Sequence, residues 1–337
     1  MSPCPYRVAV TSSSDFPVRV DIAERVLSGI AQVVNEDMPF RSLSSEEEAY
    51  YGERLAGYDG LLVRAGIFSE DLLKRLKSVR VIAIHGAGVD QVDVASAERL
   101  GIYVTNAPGC NANAVVELTM GLMIDLVRRI SLSTGRVIRD KQWGEARYLG
   151  SELSGRSLGL VGFGRIARGV ATRAQAFDMT VSAFDPYIPA EQMISEEVKP
   201  CSNLEELLSG SDIVSLHVPA VPETCHLINE ESIRVMRSGA LLINTARGIL
   251  VDEKALYKAL NSGHLGGAAL DVLEEEPPTS ANPLLALDSV IVTPHLGGST
   301  REALEAIAQV ASEQIRSVLE GEVPKHAVNC PISQTEQ

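Results

Sequence analysis

An α/β fold built from two parallel-sheet domains is what this sequence predicts, on three observations. Short β-branched runs alternate with stretches of helical spacing along almost the whole chain. A glycine-rich strand–turn–helix segment, "LGLVGFGRIARGV" (158–170), stands near the middle. The 337 residues also exceed the ~250–300 at which a single core stops growing. Strands joined by helical crossovers form a doubly wound parallel sheet with both faces covered.

The first series supplies strands at "YRVAV" (6–10), "DGLLVR" (59–64), "RVIAIHG" (80–86) and "IYVTN" (102–106). "DLLKRL" (71–76) and "VDVASAERL" (92–100) carry apolar residues at helical spacing. "NAVVELTMGLMIDLVRRISLSTGRVIRD" (113–140) has no Pro and predicts one long, uninterrupted connecting helix. A second series begins near Ser157, with six strands at 157–162, 180–185, 212–218, 240–245, 267–272 and 290–295. Helical patterns fill most of the gaps, among them 165–177 and 252–263, the latter stopped by Gly263. Beyond His295, "STREALEAIAQVASEQIRSVLEGE" (299–322) predicts an amphipathic helix that follows the sixth strand and is free to return to the first domain.

Composition narrows the partners. The net charge of −14 argues against nucleic acid or an anionic membrane, since phosphates attract basic patches. No apolar run reaches the ~18 residues of a spanning helix. "MSPCPYRVAV" lacks the apolar core of a signal peptide, and the five cysteines are dispersed with no CxxC pair. The expectation is a cytoplasmic protein with reduced thiols and no metal site.

The mid-chain turn reads Gly162-Phe163-Gly164-Arg165-Ile166-Ala167, a GxGxxA pattern. Gly162 lets the chain leave the strand tightly, Gly164 lets backbone approach a pyrophosphate, and Ala167 lets the helix pack on the sheet. Amides at the helix start then face the phosphates. Asp185 closes the next strand about 20 residues on, where a carboxylate binds ribose hydroxyls and repels a 2′-phosphate. The pattern points to a Rossmann domain and to NAD over NADP. A packed turn, with Asp185 only preceding Pro186, is the structural alternative.

Three later strands end in polar groups: Arg247 in "NTARG" (244–248), Asp271 with Glu274, Glu275 and Glu276 in "LDVLEEEP" (270–277), and His295 in "VTPHLGGST" (292–300). Ligands of open α/β sheets bind at this edge. Taken singly, each residue also has a plain reading as surface arginine, solvated loop or core histidine.

Together with "GAGVDQVD" (86–93), "NAPGCNANAVVEL" (106–118), "SLHVPAVPET" (215–224) and "LLINTARGILVDE" (241–253), these motifs resemble the D-isomer-specific 2-hydroxyacid dehydrogenase family, which includes phosphoglycerate dehydrogenases and hydroxypyruvate and glyoxylate reductases. The resemblance implies a Rossmann NAD domain (107–296) inserted into a flavodoxin-like substrate domain (1–106, completed by 297–337). That accounts for the mid-chain position of the nucleotide turn. It also implies hydride exchange between a nicotinamide and a 2-keto or 2-hydroxy acid, with His295 as acid/base, Glu276 as its partner and Arg247 as the carboxylate-binding fork. The family's acid directly precedes the proline, which selects Glu276; formate dehydrogenases of the wider group carry glutamine there.

For the cofactor the resemblance adds His217, Pro219 and Thr224, then Thr245, Ala246, Asp271 and Gly297, with Arg165 and Ile166 acting through backbone amides. For the substrate it adds backbone at Ala87 and Gly88, together with Arg64 and Asn111. His85, beside the Gly86–Gly88 loop, is read as selecting the tail of the acid, with a strand-end histidine bonded to backbone as the alternative. "VRAGI" (63–67) lacks two hydroxyls usual in the family, Ile84 stands where phosphoglycerate enzymes carry an arginine, and Glu145 stands where another falls. The chain also stops near Cys330 without a regulatory extension. These departures favour a small unphosphorylated acid over 3-phosphoglycerate, which stays open as an alternative. An NADH-sensing, corepressor-like binding protein is the other reading. The segment from Trp143 to Leu153 resembles the arm through which family members form homodimers.

Overall fold

The computed structural model describes residues 4–331, apart from the side chains of Glu145 and Arg147. The chain divides into two compact units, 1–111 with 298–337 and 112–297. The crossings fall a few residues later than the sequence pattern suggests, for a physical reason. The Ala107 N–H donates to the Gly86 carbonyl at 2.8 Å and the Asn106 side chain donates to the Ala87 carbonyl at 2.6 Å, tying that loop to the first unit.

In the first unit five parallel strands run in the order β2-β1-β3-β4-β5: β1 (Tyr6–Ser12), β2 (Ala31–Asp37), β3 (Gly60–Val63), β4 (Val81–Ile84) and β5 (Tyr103–Thr105). This is the flavodoxin-like order. Alternate residues feed two cores. Leu61, Val63, Ile82 and Ile84 pack on one face, and Val8, Val10, Leu62 and Val81 pack on the other with Ala311, Ile315 and Val318 of the helix Arg301–Leu319. That helix does return to the first unit. A Cβ on Gly60 would come 3.1 Å from the Ile315 side chain and 3.2 Å from that of Val81, so helix and strand pack closely there.

The second unit holds seven parallel strands: β6 (Ser157–Val161), β7 (Thr180–Phe184), β8 (Lys199–Pro200), β9 (Ile213–Leu216), β10 (Ala240–Asn244), β11 (Leu265–Leu270) and β12 (Val290–Val292). Their order, β12-β11-β10-β9-β6-β7-β8, is the Rossmann arrangement with one further strand. The order reverses between β9 and β6, so the glycine turn after β6 lies at the switch point where such sheets bind ligands.

Three expectations are corrected. β2 escaped the sequence reading because "AQVVNED" is largely polar; pairing with β1 along seven residues makes it a strand. β8 is a two-residue edge, where a proline is tolerated because no partner needs its missing N–H. The predicted helix at 113–140 is two helices, Ala112–Arg128 and Ile130–Asp140, broken where Arg129 turns left-handed at φ 55°. The first buries Val115, Val116, Met120 and Met123, whereas the second buries nothing, so no common core holds the two in line.

Candidate active site

The helix Arg165–Gln175 begins directly after Gly162-Phe163-Gly164. Gly162 sits at φ +90°, and a Cβ there would lie 2.8 Å from the His217 carbonyl oxygen, so the turn itself requires glycine. Gly164 differs: its φ is −76° and a Cβ would meet nothing within 4 Å. The protein's own packing does not require glycine there; the missing side chain opens the helix N-terminus to a ligand. Among the described residues the amides of Gly164, Arg165 and Ile166 donate to no protein acceptor. Asp185 accepts from the Phe163 N–H at 2.8 Å and the Tyr187 N–H at 2.9 Å, which fixes a carboxylate beside the turn. Open donors at a helix start for the pyrophosphate and a fixed acceptor one strand over for the ribose hydroxyls are the groups that NAD requires.

Along the cofactor loop the side chains mostly bind each other. Thr224 Oγ1 donates to the Pro219 carbonyl at 2.7 Å and accepts from the Val221 N–H at 2.9 Å, shaping the loop. His217 Nε2 meets Ser215 Oγ at 3.0 Å, and burial holds the imidazole down to about 4, so the ring is neutral. The Thr245 hydroxyl pairs with Thr119 Oγ1 at 2.9 Å, while the Ala246 backbone is taken up within its own turn, its N–H donating to Asn244 and its carbonyl accepting from Arg247.

At the ends of β10, β11 and β12 the three polar segments come together. His295 Nδ1 lies 2.7 Å from Glu276 Oε2, while Glu276 Oε1 accepts from the Leu273 N–H at 3.0 Å. Burial pushes the Glu276 carboxyl upward, but the bonds and charge of His295, the Leu273 amide and the Arg247 charge outweigh it and hold the group below its usual range. An acceptor at Nδ1 keeps the ring proton on that nitrogen and leaves Nε2 as the nitrogen turned away from Glu276. Arg247 Nη1 donates to the Ala246 carbonyl at 2.7 Å, and the guanidinium is among the charges acting on Glu276.

Asp271 is buried and accepts three bonds: from Thr293 Oγ1 at 2.6 Å, the Leu296 N–H at 2.7 Å and the Gly297 N–H at 2.7 Å. Its burial raises the carboxyl pKa against these bonds. Its carbonyl accepts from the His295 N–H at 2.9 Å, so Asp271 anchors the whole His295 loop. A Cβ on Gly297 would stand 3.0 Å from the Asp271 carboxylate.

Two positioning residues escaped the sequence reading. Asn244 accepts from the Ala246 N–H at 3.0 Å and donates to the Arg247 carbonyl at 2.8 Å, folding the arginine turn. Its signal was available, an Asn ending an apolar strand as an Asx turn. Thr293 had none, because its role rests on a carboxylate from the neighbouring strand.

In the first unit, Ala87 is exposed, and the amides of Ala87 and Gly88 donate to no acceptor among the described residues. Arg64 is largely buried, with Nη1 at 3.4 Å from the His85 carbonyl, Nε unpartnered and no carboxylate paired to it among the described residues. His85 is 2% exposed and neither ring nitrogen has a hydrogen-bond partner among the described residues. Burial, then the Arg64 charge, depress it to about 3. Asn111 lies against Gly298, where a Cβ would come 2.8 Å from Nδ2. The Glu145 side chain lies outside the described residues.

Residues 120–297 match the family model described as D-isomer specific 2-hydroxyacid dehydrogenase, NAD binding domain. The chain belongs to that family. It is 45% identical over 280 residues to a D-3-phosphoglycerate dehydrogenase of Methanocaldococcus jannaschii, covering 83% of this chain and 53% of the relative. It is 42% identical over 260 residues to a hydroxypyruvate reductase of Thermotoga maritima, covering 76% and 83%. The D-lactate dehydrogenase of Aquifex aeolicus, solved with NAD and lactic acid, superposes with a TM-score of 0.81 at 29% identity, covering 96% of this chain and all of that one (100%). This chain spans about half the length of the phosphoglycerate dehydrogenases it matches. No helix among the described residues is long and apolar enough to cross a membrane, and none of their His, Cys, Asp and Glu side chains cluster to hold a metal.

Proposed function

We propose that the chain is an NAD-dependent dehydrogenase of small 2-hydroxy acids, working reversibly on the matching 2-keto acids. The observation that carries this reading is the 2.7 Å contact between His295 and Glu276, with the far oxygen of Glu276 tied to the Leu273 amide. Bound NAD supplies the hydride acceptor, or NADH the donor. The chain's own residues manage the proton and the carboxylate. His295 gives a proton from Nε2 to the carbonyl oxygen in reduction and takes it from the hydroxyl in oxidation, while Glu276 steadies the charged ring. Arg247 holds the substrate carboxylate through its planar fork. Ala87 and Gly88 amides, Arg64, His85 and Asn111 are the proposed substrate residues of the first unit.

The favoured substrate is unphosphorylated, because Ile84 removes one family arginine. A second reading, 3-phosphoglycerate, is supported by the names of several relatives and by a partly buried Arg64 that pairs with no carboxylate among the described residues. A cytoplasmic homodimer is also proposed. The five cysteines are dispersed along the chain with no CxxC pair, which suits a reducing compartment. The helix Ile130–Asp140 buries none of its residues; its Ile138 is 64% exposed, and Trp143 and Leu149 beyond it are 91% and 71% exposed, a surface suited to a second copy.

The test is a panel of 2-keto acids, with and without phosphate, run with NADH and with NADPH. Turnover with NADH that falls about 10³-fold in His295→Ala is expected. Tight NADH binding without turnover on any acid would overturn the reading in favour of a sensor.

A further inference from the structure

The loop after β11 carries three glutamates, and two of them face a histidine with left-handed backbone. Glu276 faces His295, at φ 54°; Glu274 faces His226, at φ 49°. Such backbone is uncommon outside glycine, and it persists where the surroundings hold it. His226 Nε2 stands 3.2 Å from Glu274 Oε1, close enough for an ion pair but off line for a hydrogen bond, and it has no other protein partner among the described residues. The other end of the residue is tied as well: its backbone N–H donates to the Ile249 carbonyl at 2.8 Å.

Each tie leads to a different part of the site. Ile249 belongs to the turn that follows Arg247, and the next pair along, Ile228 N–H to the Leu250 carbonyl at 2.9 Å, extends the contact. Glu274 is held by Glu253, whose N–H donates to Glu274 Oε1 at 3.1 Å and whose Oε1 accepts from the Glu274 N–H at 2.7 Å. Between these ties the two loops touch without side chains, since a Cβ on Gly248 would fall on the Leu273–Glu274 peptide. Leu273, in turn, donates its N–H to Glu276.

We propose that His226 is a positioning residue: with Glu274 it clamps the turn carrying Arg247 to the loop carrying Glu276, and so sets the spacing of guanidinium, carboxylate and imidazole. It acts through Glu274 and Ile249 and not on the reacting atoms. The inference rests on the dehydrogenase reading above.

The experiment compares the full chain with His226→Asn, Glu274→Gln and the double variant. Asn tolerates positive φ but is too short to reach Glu274. Each single variant is expected to lose about 10-fold in kcat, the double no more, with KM for NADH and for the keto acid within about 2-fold. Independently of turnover, amide exchange at Leu273 and Glu274 should quicken about 10-fold in His226→Asn while β9 and β10 keep their protection. Unchanged kcat with unchanged exchange at those amides overturns the clamp. So do additive losses in the double, or exchange that quickens throughout the unit, which would mark a general folding role. A wild-type protein inert on every acid defeats the dehydrogenase reading instead, and the exchange result still decides whether the clamp exists.

Discussion

The two sheets end in different ways at their carboxyl edges. In the second unit the polar side chains named at the β10–β12 edge are hydrogen-bonded: Asn244 to the backbone of its own turn, Thr293 to Asp271, His295 to Glu276. In the first unit, polar atoms at the ends of β3, β4 and β5 are buried with no protein partner among the described residues: Arg64 Nε, both nitrogens of His85 and Thr105 Oγ1. The difference teaches where order is built in. An edge whose groups hold one another is preorganised for chemistry. An edge with unsatisfied buried groups carries a desolvation cost in the folded chain.

The contrast can be broken by substitution. The largest effect is expected at Glu276→Ala, which strips His295 of its acceptor and should lower kcat about 100-fold with NADH affinity retained, as steady-state kinetics and NADH fluorescence titration would report. If kcat held, the pair would be ornamental and the second edge no more preorganised than the first. Asp271→Ala comes next. It removes the acceptor of three buried bonds and should destabilise by about 3 kcal/mol in chemical denaturation. A loss below about 0.5 kcal/mol would mean that the His295 loop is held by something else.

A pH titration of stability sharpens the comparison, because each unit has a histidine that its surroundings hold neutral, buried His85 and partly buried His217. An unfolded histidine takes its proton near the ordinary 6.5, whereas folded His85 resists until about 3 and folded His217 until about 4. Protonation therefore favours the unfolded chain. Stability should fall as pH drops from 6.5 toward 4.5, by about 1 kcal/mol per pH unit for each ring. His85→Leu should remove its share of that slope and leave the His217 share. An unaltered slope would show that His85 titrates normally and is open to solvent. The smallest effects are expected at Thr105→Val and Ser312→Ala, which delete buried hydroxyls with no hydrogen-bond partner among the described residues. Each should raise stability by about 0.5–1 kcal/mol, where the same kind of deletion at Thr293 should lower it.

Much of the cofactor site could be read without coordinates, for a local reason. The turn from Gly162 to Ala167 and the carboxylate at Asp185 are contiguous in one β-α-β unit, and each residue type answers a steric or electrostatic demand made within it. Six of the seven strands of the second unit were equally legible, because the inner ones, buried on both faces, are apolar along their length; the two-residue edge β8 was not. β2 was not, since a polar edge strand owes its state to its neighbour. The break at Arg129 was hidden because apolar spacing continues through it, and the change lies in what each half packs against.

The sequence by itself determined the α/β class, the glycine turn and the residue types of the proposed acid/base pair, since periodicity and glycine placement act over a few neighbouring residues. Tertiary structure alone decided that Asp271 anchors the His295 loop, that Asn244 folds the Arg247 turn, and that His226 and Glu274 face each other. Those relations join segments from separate strand ends, and a hydrogen bond between them exists only once the sheet has brought the ends side by side.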